Sequence, residues 1–387
     1  MGQLGFTDSI FHENLVPGVN FKQETEEKIK TAFNKPVIIY GASIMGQHIL
    51  NLFQKIGIPV LAVCDNYKNG QKMQTGEVIT TFKNVFDKYD DYIILIASYS
   101  YYYEIKNDIL KYVNKEKIVS FPSDVRYLFK MKEFISGPCT FEEYKKFVNE
   151  QKGHIDHVSN LLSDNKSLKV LRGLICGRLT NNLQYINNIS ESNQYFPSDI
   201  IGFSHEEIFI DGGAYTGDTL HEFIKRSGKC FSKAYCYEPG KWQANRFQNN
   251  YVDLIASGKV VLIQKGLWDK SEILSFIDNN NVNSRISSGQ EDNKIQTVSI
   301  DETVPKKEKV TFIKMDIEGS ELKALKGAEK TILRNKPKLA ICIYHKPEDI
   351  FEIPEYIDSL GLGYKLYIRH HGIPPLAQFG DTVLYAL

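Results

Sequence analysis

Glu206–Thr219 reads EEIFIDGGAYTGDT, and this stretch decides the fold. Ile208, Phe209 and Ile210 form a short apolar run of strand character. Asp211 ends it, and Gly212, Gly213 and Gly217 make a turn that opens a helix. A carboxylate at the carboxyl end of a strand, followed by glycines, marks the beginning of a nucleotide-type site. Glycine lets backbone approach a ligand with no Cβ between them, and the helix N-terminus offers N–H donors. A bare βα turn has the same appearance, so the meaning of the motif depends on the segments C-terminal to it.

Those segments repeat the pattern. After a helix at 219–226, a second strand at 234–237 ends in Glu238, 25 residues beyond Gly213. One carboxylate there can accept hydrogen bonds from both hydroxyls of a ribose. A third strand at 260–264 leads to Gly266, Leu267, Trp268 and Asp269. Leu267 or Trp268 is placed to pack on an adenine, although a buried aromatic at a strand end explains Trp268 equally well. Short strands and an Asn-rich turn fill 272–300. A fourth strand at 310–316 ends in Asp316 and the turn Ile317-Glu318-Gly319-Ser320, with a helix expected over 321–333. A fifth strand at 339–344 ends at His345, and two strands at 364–369 and 382–386 close the chain. Alternating strands and helices, acids at three strand ends (Asp211, Glu238, Asp316) and a closing strand pair predict an α/β protein. The expected fold is a Class I methyltransferase Rossmann-like sheet, mostly parallel with an antiparallel last strand. A nicotinamide-binding domain explains the first two acids, but neither the DIEG turn nor the closing pair.

The segments IFIDGGAYTGDT, YCYEPG, FIKMDIEGSELKALKGA and DTVLYAL resemble the motifs of the FkbM family of methyltransferases over most of residues 195–387. The resemblance implies S-adenosyl-L-methionine as cofactor and O-methylation of a hydroxyl, often on a sugar or natural product. It places Asp211, Gly212, Gly213, Tyr215 and Gly217 around the methionine part and Glu238 at the ribose. Tyr215 stands where many relatives have Asn, which leaves the side-chain contacts of that turn open but not its backbone role.

For chemistry, Phe312, Lys314 and Asp316 share one face of the fourth strand by its two-residue period. A lysine there is costly to bury unless paired. Asp316 at the strand end faces the transferring methyl or the acceptor, Glu318 lies in the turn, and His345 ends the neighbouring strand. Methyl transfer is an in-line displacement in which alignment supplies most of the catalysis, and an alcohol needs a base for its proton. His345 or Asp316 is the expected base, with Glu318 orienting the acceptor and Lys314 in the same constellation. A satisfied turn histidine is the plain alternative for His345. Asp316, Glu318 and His345 have the O/N character of a metal site, but their spacing does not demand a metal and none is assigned. Arg285, in a polar loop, suits an acceptor phosphate or carboxylate as well as plain exposure.

The chain ahead of this domain divides twice. Residues 36–40 and 58–64 read as strands around the turn Gly41-Ala42-Ser43-Ile44-Met45-Gly46, a relaxed dinucleotide fingerprint with Asp65 at the ribose position. The same thirty or so residues resemble the N-terminal domain of bacterial sugar O- and N-acyltransferases, which implies a nucleotide sugar as ligand. The expected organisation is an N-terminal Rossmann-like domain at 1–122, a helical connector at 123–200 and the methyltransferase domain at 201–387. His154 and His157 lie three apart in the connector and read as an exposed or capping pair rather than metal ligands.

The 387 residues are 42% hydrophobic and 24% charged, with 47 basic and 47 acidic side chains. Zero formal net charge speaks against a dedicated nucleic-acid or anionic-membrane binder. No apolar run reaches spanning length and the N-terminus shows no signal-peptide pattern. Six scattered cysteines without a CxxC pair fit a reducing, cytoplasmic setting. The expected partner is a small-molecule or saccharide acceptor, free or nucleotide-linked, with a homo-oligomer compatible. Two rival functions are compatible with the residues: a nicotinamide-dependent oxidoreductase using the Gly41 turn and Asp65, and a non-catalytic nucleoside-binding scaffold.

Overall fold

The computed structural model describes residues 5–11, 27, 29–98, 101–119, 141–180, 183–277, 285–287, 294–372 and 380–387. The chain divides into two units, Gly18–Phe134 and Met1–Pro17 with Ile135–Leu387.

In the first unit, β1 (Val37–Tyr40), α1 (Ile44–Ile56), β2 (Val60–Cys64), β3 (Ile93–Ile96) and β4 (Ile118–Val119) form a parallel sheet ordered β2-β1-β3-β4. β1 and β3 are buried at every position, as strands covered on both faces must be. Gly41 has φ +119°, and a Cβ on it would lie 2.7 Å from the Ala97 carbonyl oxygen, so the turn after β1 requires glycine.

The second unit begins, among described elements, with the helix Phe6–Phe11. Helices α2 (Phe141–Glu150), α3 (Lys152–Leu161) and α4 (Asn165–Thr180) come next, then β5 (Ser190–Glu191). The methyltransferase-like segment contributes β6 (Ile208–Gly212), α5 (Asp218–Arg226), β7 (Lys233–Tyr237), α6 (Lys241–Asn250), β8 (Val260–Ile263), β9 (Gly266–Leu267), β10 (Ile273–Ile277), β11 (Arg285–Ser287), β12 (Lys294–Val298), β13 (Phe312–Met315), α7 (Glu321–Lys326), α8 (Glu329–Asn335), β14 (Lys338–Cys342), α9 (Asp349–Ser359), β15 (Leu366–His371) and β16 (Thr382–Ala386). The eight-stranded sheet runs β5-β15-β16-β14-β13-β6-β7-β8. Strands β14, β13, β6, β7 and β8 are parallel, and β16 runs antiparallel between β14 and β15. The expected α/β sheet with an antiparallel last strand is therefore present. A small second sheet is ordered β11-β10-β12-β9.

Chain order reverses between β6 and β13, since β7 and β8 lie to one side of β6 while β13 and β14 lie to the other. In open α/β sheets the crevice at the carboxyl ends of such a pair is where ligands bind. Register puts Lys314 beside Asp211 and Met315 beside Gly212. Beneath the crevice the core is aromatic. Phe209 stacks on Phe223 at 4.3 Å between centroids and meets Phe312 at 5.4 Å. Large-to-small changes in such a core cost about 3–5 kcal/mol for each Phe, so the floor of the site is stiff.

Two local expectations are corrected. The helix expected over 321–333 is broken into α7 and α8 around Gly327, where only glycine fits, since a Cβ there would lie 2.2 Å from the Trp268 carbonyl oxygen and 2.9 Å from the Asp269 Cα. The Asp301 carboxylate then restarts the helix by accepting from Lys330 N and Thr331 N. Arg285 belongs to β11 rather than a loop, and its side chain lies outside the described residues, as do Asn283 and Ser284. In the connector, His154 Nδ1 meets Glu355 Oε1 at 2.8 Å and its ring stacks on Phe351, which docks α3 on α9. His157 is exposed. Among the described residues no helix is long and apolar enough to cross a membrane.

Candidate active site

The Gly-rich turn is held from below. Lys314 is 1% exposed and its Nζ donates to Asp211 Oδ1 at 2.9 Å, Gly212 O at 3.1 Å and Gly213 O at 2.9 Å. All three ammonium donors are engaged, so Lys314 is a strut beneath the turn rather than a group facing the crevice. Burial pushes the Asp211 carboxyl up to about 6 even though Lys314 pulls it down, and its second oxygen has no partner. The negative charge of Asp211 raises the Lys314 ammonium in turn, against the opposing effect of burial, so the pair is ionic at neutral pH. Asp211 itself is fully buried and acts on any ligand through the backbone it organises.

The turn above is geometrically constrained. Gly213 has φ +76°, and a Cβ on it would lie 1.9 Å from the Asp316 carbonyl oxygen. A Cβ on Gly217 would lie 2.2 Å from the Tyr251 ring, whose hydroxyl donates to Gly217 O at 2.6 Å. Gly212 sits against Leu267, with Leu267 Cδ1 2.8 Å from where its Cβ would be. Tyr215 adopts φ +46°, a conformation that Asn and Gly enter more readily than an aromatic residue. The Tyr215 departure from the family pattern therefore falls on a strained position.

Glu238 closes the turn from β7. Its Oε2 accepts from Tyr215 N at 2.9 Å and its Oε1 from Gly240 N at 2.8 Å. Burial raises its carboxyl to about 7, with the two N–H donors partly offsetting that. Each oxygen keeps a lone pair, which suits a vicinal diol. The Tyr215 ring stands 6.5 Å from that of Trp242, an aromatic that no sequence motif marks. Leu267 is buried beside the turn, whereas the Trp268 ring lies under Lys323 of α7, 5.7 Å from its Nζ. The structure thus brings Leu267 against Gly212 and the Trp268 ring against Lys323.

On the other side of the switch point lies a charged cluster. Asp316 accepts from Tyr195 OH at 2.6 Å and from Tyr344 OH at 3.1 Å, and its Oδ1 is 3.4 Å from His345 Nε2. Burial pushes Asp316 up, but His345, Lys314 and the two hydroxyls outweigh it and hold its carboxyl below the usual range. His345 Nε2 is 3.8 Å from Glu318 Oε2, and Nδ1 is 2.9 Å from Glu321 Oε1. That last distance is of ion-pair length, yet Nδ1 makes no hydrogen bond of acceptable angle, so the contact is electrostatic in the main. Burial lowers the imidazole, but Glu321, Glu318 and Asp316 together raise it to about 10. An imidazolium cannot accept a proton, so the His345 of this cluster is not a ready base. Glu318 and Gly319 have φ of +55° and +90°, which turns the chain so that Glu318 reaches back to His345 and Glu321 opens α7.

Sequence reasoning missed Tyr195, Tyr344 and Glu321. Tyr195 comes from a segment 121 residues away, and no local pattern marks it. Glu321 had a signal, the third acid of DIEGSE, which reads equally as a helix-start acid. In the other unit, Asp65 accepts from Ala42 N, Tyr67 N and Lys68 N, and Lys68 Nζ bonds Ala42 O. Its carboxylate is therefore engaged by the turn itself.

Residues 211–366 match the methyltransferase FkbM domain, and residues 33–119 match the family described as C2185-like, N-terminal. No curated protein matches the chain. A solved methyltransferase FkbM from Methylobacillus flagellatus KT is similar at 22% identity and TM-score 0.60, covering 99% of this chain and 97% of its own. That likeness carries the fold. An rRNA methylase from Streptococcus thermophilus is 17% identical over 47% of this chain and 86% of its own, at TM-score 0.28. An S-adenosylmethionine-dependent O-methyltransferase from Thermotoga maritima is 10% identical over 60% of this chain and 70% of its own, at TM-score 0.27. At those scores neither bears on the site.

Proposed function

We propose that this S-adenosyl-L-methionine-dependent methyltransferase, with its FkbM domain at residues 211–366, methylates a hydroxyl of a saccharide or sugar-containing precursor. The observation that carries the reading is the pairing of two half-sites across β6 and β13: a diol-accepting carboxylate on one side and an acid–imidazole cluster on the other. The saccharide itself rests on the resemblance to the FkbM family.

The residues present fit the cofactor. Glu238 retains lone pairs for the ribose, and the backbone of Gly213–Gly217, braced by Lys314 and Asp211, would border the methionine part. Leu267 and Trp242 are the apolar neighbours for the base. Bound S-adenosyl-L-methionine supplies an electrophilic methyl group. The chain's part is to align the acceptor oxygen and manage its proton. We assign Asp316 as the proton acceptor, because it stands at the strand end, and Glu318 as the residue that orients the acceptor. His345 holds both carboxylates in place. Tyr195 and Tyr344 fix the Asp316 carboxylate plane. The unit matched at residues 33–119 would present the acceptor or mediate assembly of copies. Cys64, Cys176, Cys230, Cys236 and Cys342 are free thiols, consistent with the cytoplasmic assignment.

The test is calorimetric titration with S-adenosyl-L-methionine and its demethylated product on wild type and Glu238→Ala. Transfer of labelled methyl to glycosides, nucleotide sugars and phenols is then measured. Binding lost in the variant and label in the sugars support the reading. Binding indifferent to Glu238→Ala would overturn the cradle, and label confined to phenols would overturn the acceptor.

A further inference from the structure

His345 sits among three carboxylates without the hydrogen bonds that an imidazolium would make. Its side chain is 9% exposed, and neither ring nitrogen has a hydrogen-bond partner. Glu321 is fully buried, and its Oε2 is likewise unpartnered. Nε2 lies 3.4 Å from Asp316 Oδ1 and 3.8 Å from Glu318 Oε2. These spacings are long for hydrogen bonds but ordinary for neighbouring donors around one cation, which stand roughly 3–4 Å apart when each bond is about 2.1 Å. Glu321 belongs to the same cluster, since Asp316, Glu321 and His345 bring one donor atom apiece within 4.8 Å of one another. One imidazolium faces three carboxylates here, and the buried ammonium of Lys314 is already matched by Asp211. The cluster therefore carries an excess of negative charge in a mostly buried place, which a cation offsets.

We propose that Asp316, Glu318 and Nε2 of His345 hold a divalent cation, Mg2+ or Mn2+, on the acceptor side of the crevice. Glu321, against Nδ1, fixes the ring edge that faces it. An oxygen-rich set with a single imidazole favours these ions over zinc, whose sites are built mainly from several His or Cys ligands. An outer carboxylate on the far nitrogen of a ligating histidine is a common way to orient the ring. The cation's use, which rests on the hydroxyl-transfer reading above, is to hold the acceptor oxygen and make its proton easier to lose. That also relieves Asp316, whose two oxygens already accept from two tyrosines, of acting alone.

The test is titration of Mn2+ into the full chain, with neither cofactor nor acceptor, monitored by electron paramagnetic resonance of free Mn2+. One saturable site displaced by Mg2+ is expected. Asp316→Asn and Glu318→Gln should each weaken it at least tenfold, and Glu321→Gln by about tenfold, as outer partners do. An undiminished free-Mn2+ signal with wild type overturns the proposal, whatever the folding of the variants. Binding equal in wild type and the thermally stable Glu318→Gln and Asp316→Asn variants also overturns it. Because no acceptor enters the titration, Mn2+ binding by a chain that methylates no sugar would sink the acceptor assignment alone. Sugar methylation undiminished by chelator, without Mn2+ binding, would sink the cation alone.

Discussion

Replacing Lys314 by Met should destabilise the protein in a pH-dependent way. The change removes an ammonium 2.9 Å from Asp211, in a place where both side chains are no more than 2% exposed. Breaking a buried pair from one side costs about 3–5 kcal/mol, because the remaining charge is left in the interior. Two carbonyls, Gly212 O and Gly213 O, also lose a donor, at about 1 kcal/mol each whatever the pH. The carboxyl has an escape, since it can bind a proton. Burial already raises it from 3.8 to about 6 with Lys314 present, and without Lys314 it must rise further. A carboxyl raised in the folded state contributes stability below its unfolded value and loses it as pH rises through the folded one. In wild type that loss ends near pH 6; in the variant it continues upward. The deficit of Lys314→Met should thus be about 2 kcal/mol near pH 5, from the carbonyls alone, and about 5 kcal/mol at pH 8, where the lower end of the buried-pair cost adds to that of the carbonyls. Urea unfolding tracked by far-UV circular dichroism at both pH values measures it, with Lys314→Met/Asp211→Leu as the control that should recover much of the pH 8 loss. A deficit equal at both pH values, or a double variant no better than the single one, would refute the account.

Three further outcomes are expected. Gly213→Ala should abolish cofactor binding and cost about 3 kcal/mol or more, since its Cβ would lie 1.9 Å from the Asp316 carbonyl oxygen at a positive φ; calorimetry and a urea midpoint near wild type would contradict this. Glu238→Gln should weaken S-adenosyl-L-methionine at least tenfold. It should also raise the apo melting temperature at pH 8 but not at pH 4.5, because a carboxyl raised from 4.5 to about 7 loses on the order of 3 kcal/mol as pH climbs through that window. The Gln amide, meeting one of the two N–H donors, gives back about 1 kcal/mol, so a pH-independent shift is the contrary result. Arg369→Met should destabilise by about 3 kcal/mol in urea, because the guanidinium is 1% exposed and joins β15 to Asp164 at the start of α4 and to Asp199; an unchanged midpoint would show the network to be dispensable.

The parallel strands in residues 206–342 were readable because they are runs of apolar residues, several of them closed by an acid or glycine, and these signals are local; helix α6, Lys241–Asn250, was not read. β6, β13 and β14 are nearly all buried, as two-sided burial requires, and each lies within a residue or two of its expected place. The expectation that Lys314 needs a partner came from the cost of burying an amine, and Asp211 is that partner. The close approach of the Trp268 backbone to Gly327 was not legible, because nothing in LKGA states where that distant segment passes.

By itself the sequence determined the α/β architecture, the glycine turn, and the acids at strand ends, since periodicity and turn chemistry act within a few residues. Only the tertiary structure decided what those acids do. Tyr195 and Tyr344 reach Asp316 from 121 and 28 residues away, and the ring of His345 is placed between Glu318, Glu321 and Asp316 by the register of β13 with β14 and a left-handed turn. Protonation state is set by burial and neighbouring charge, and both are properties of distances that chain order does not carry.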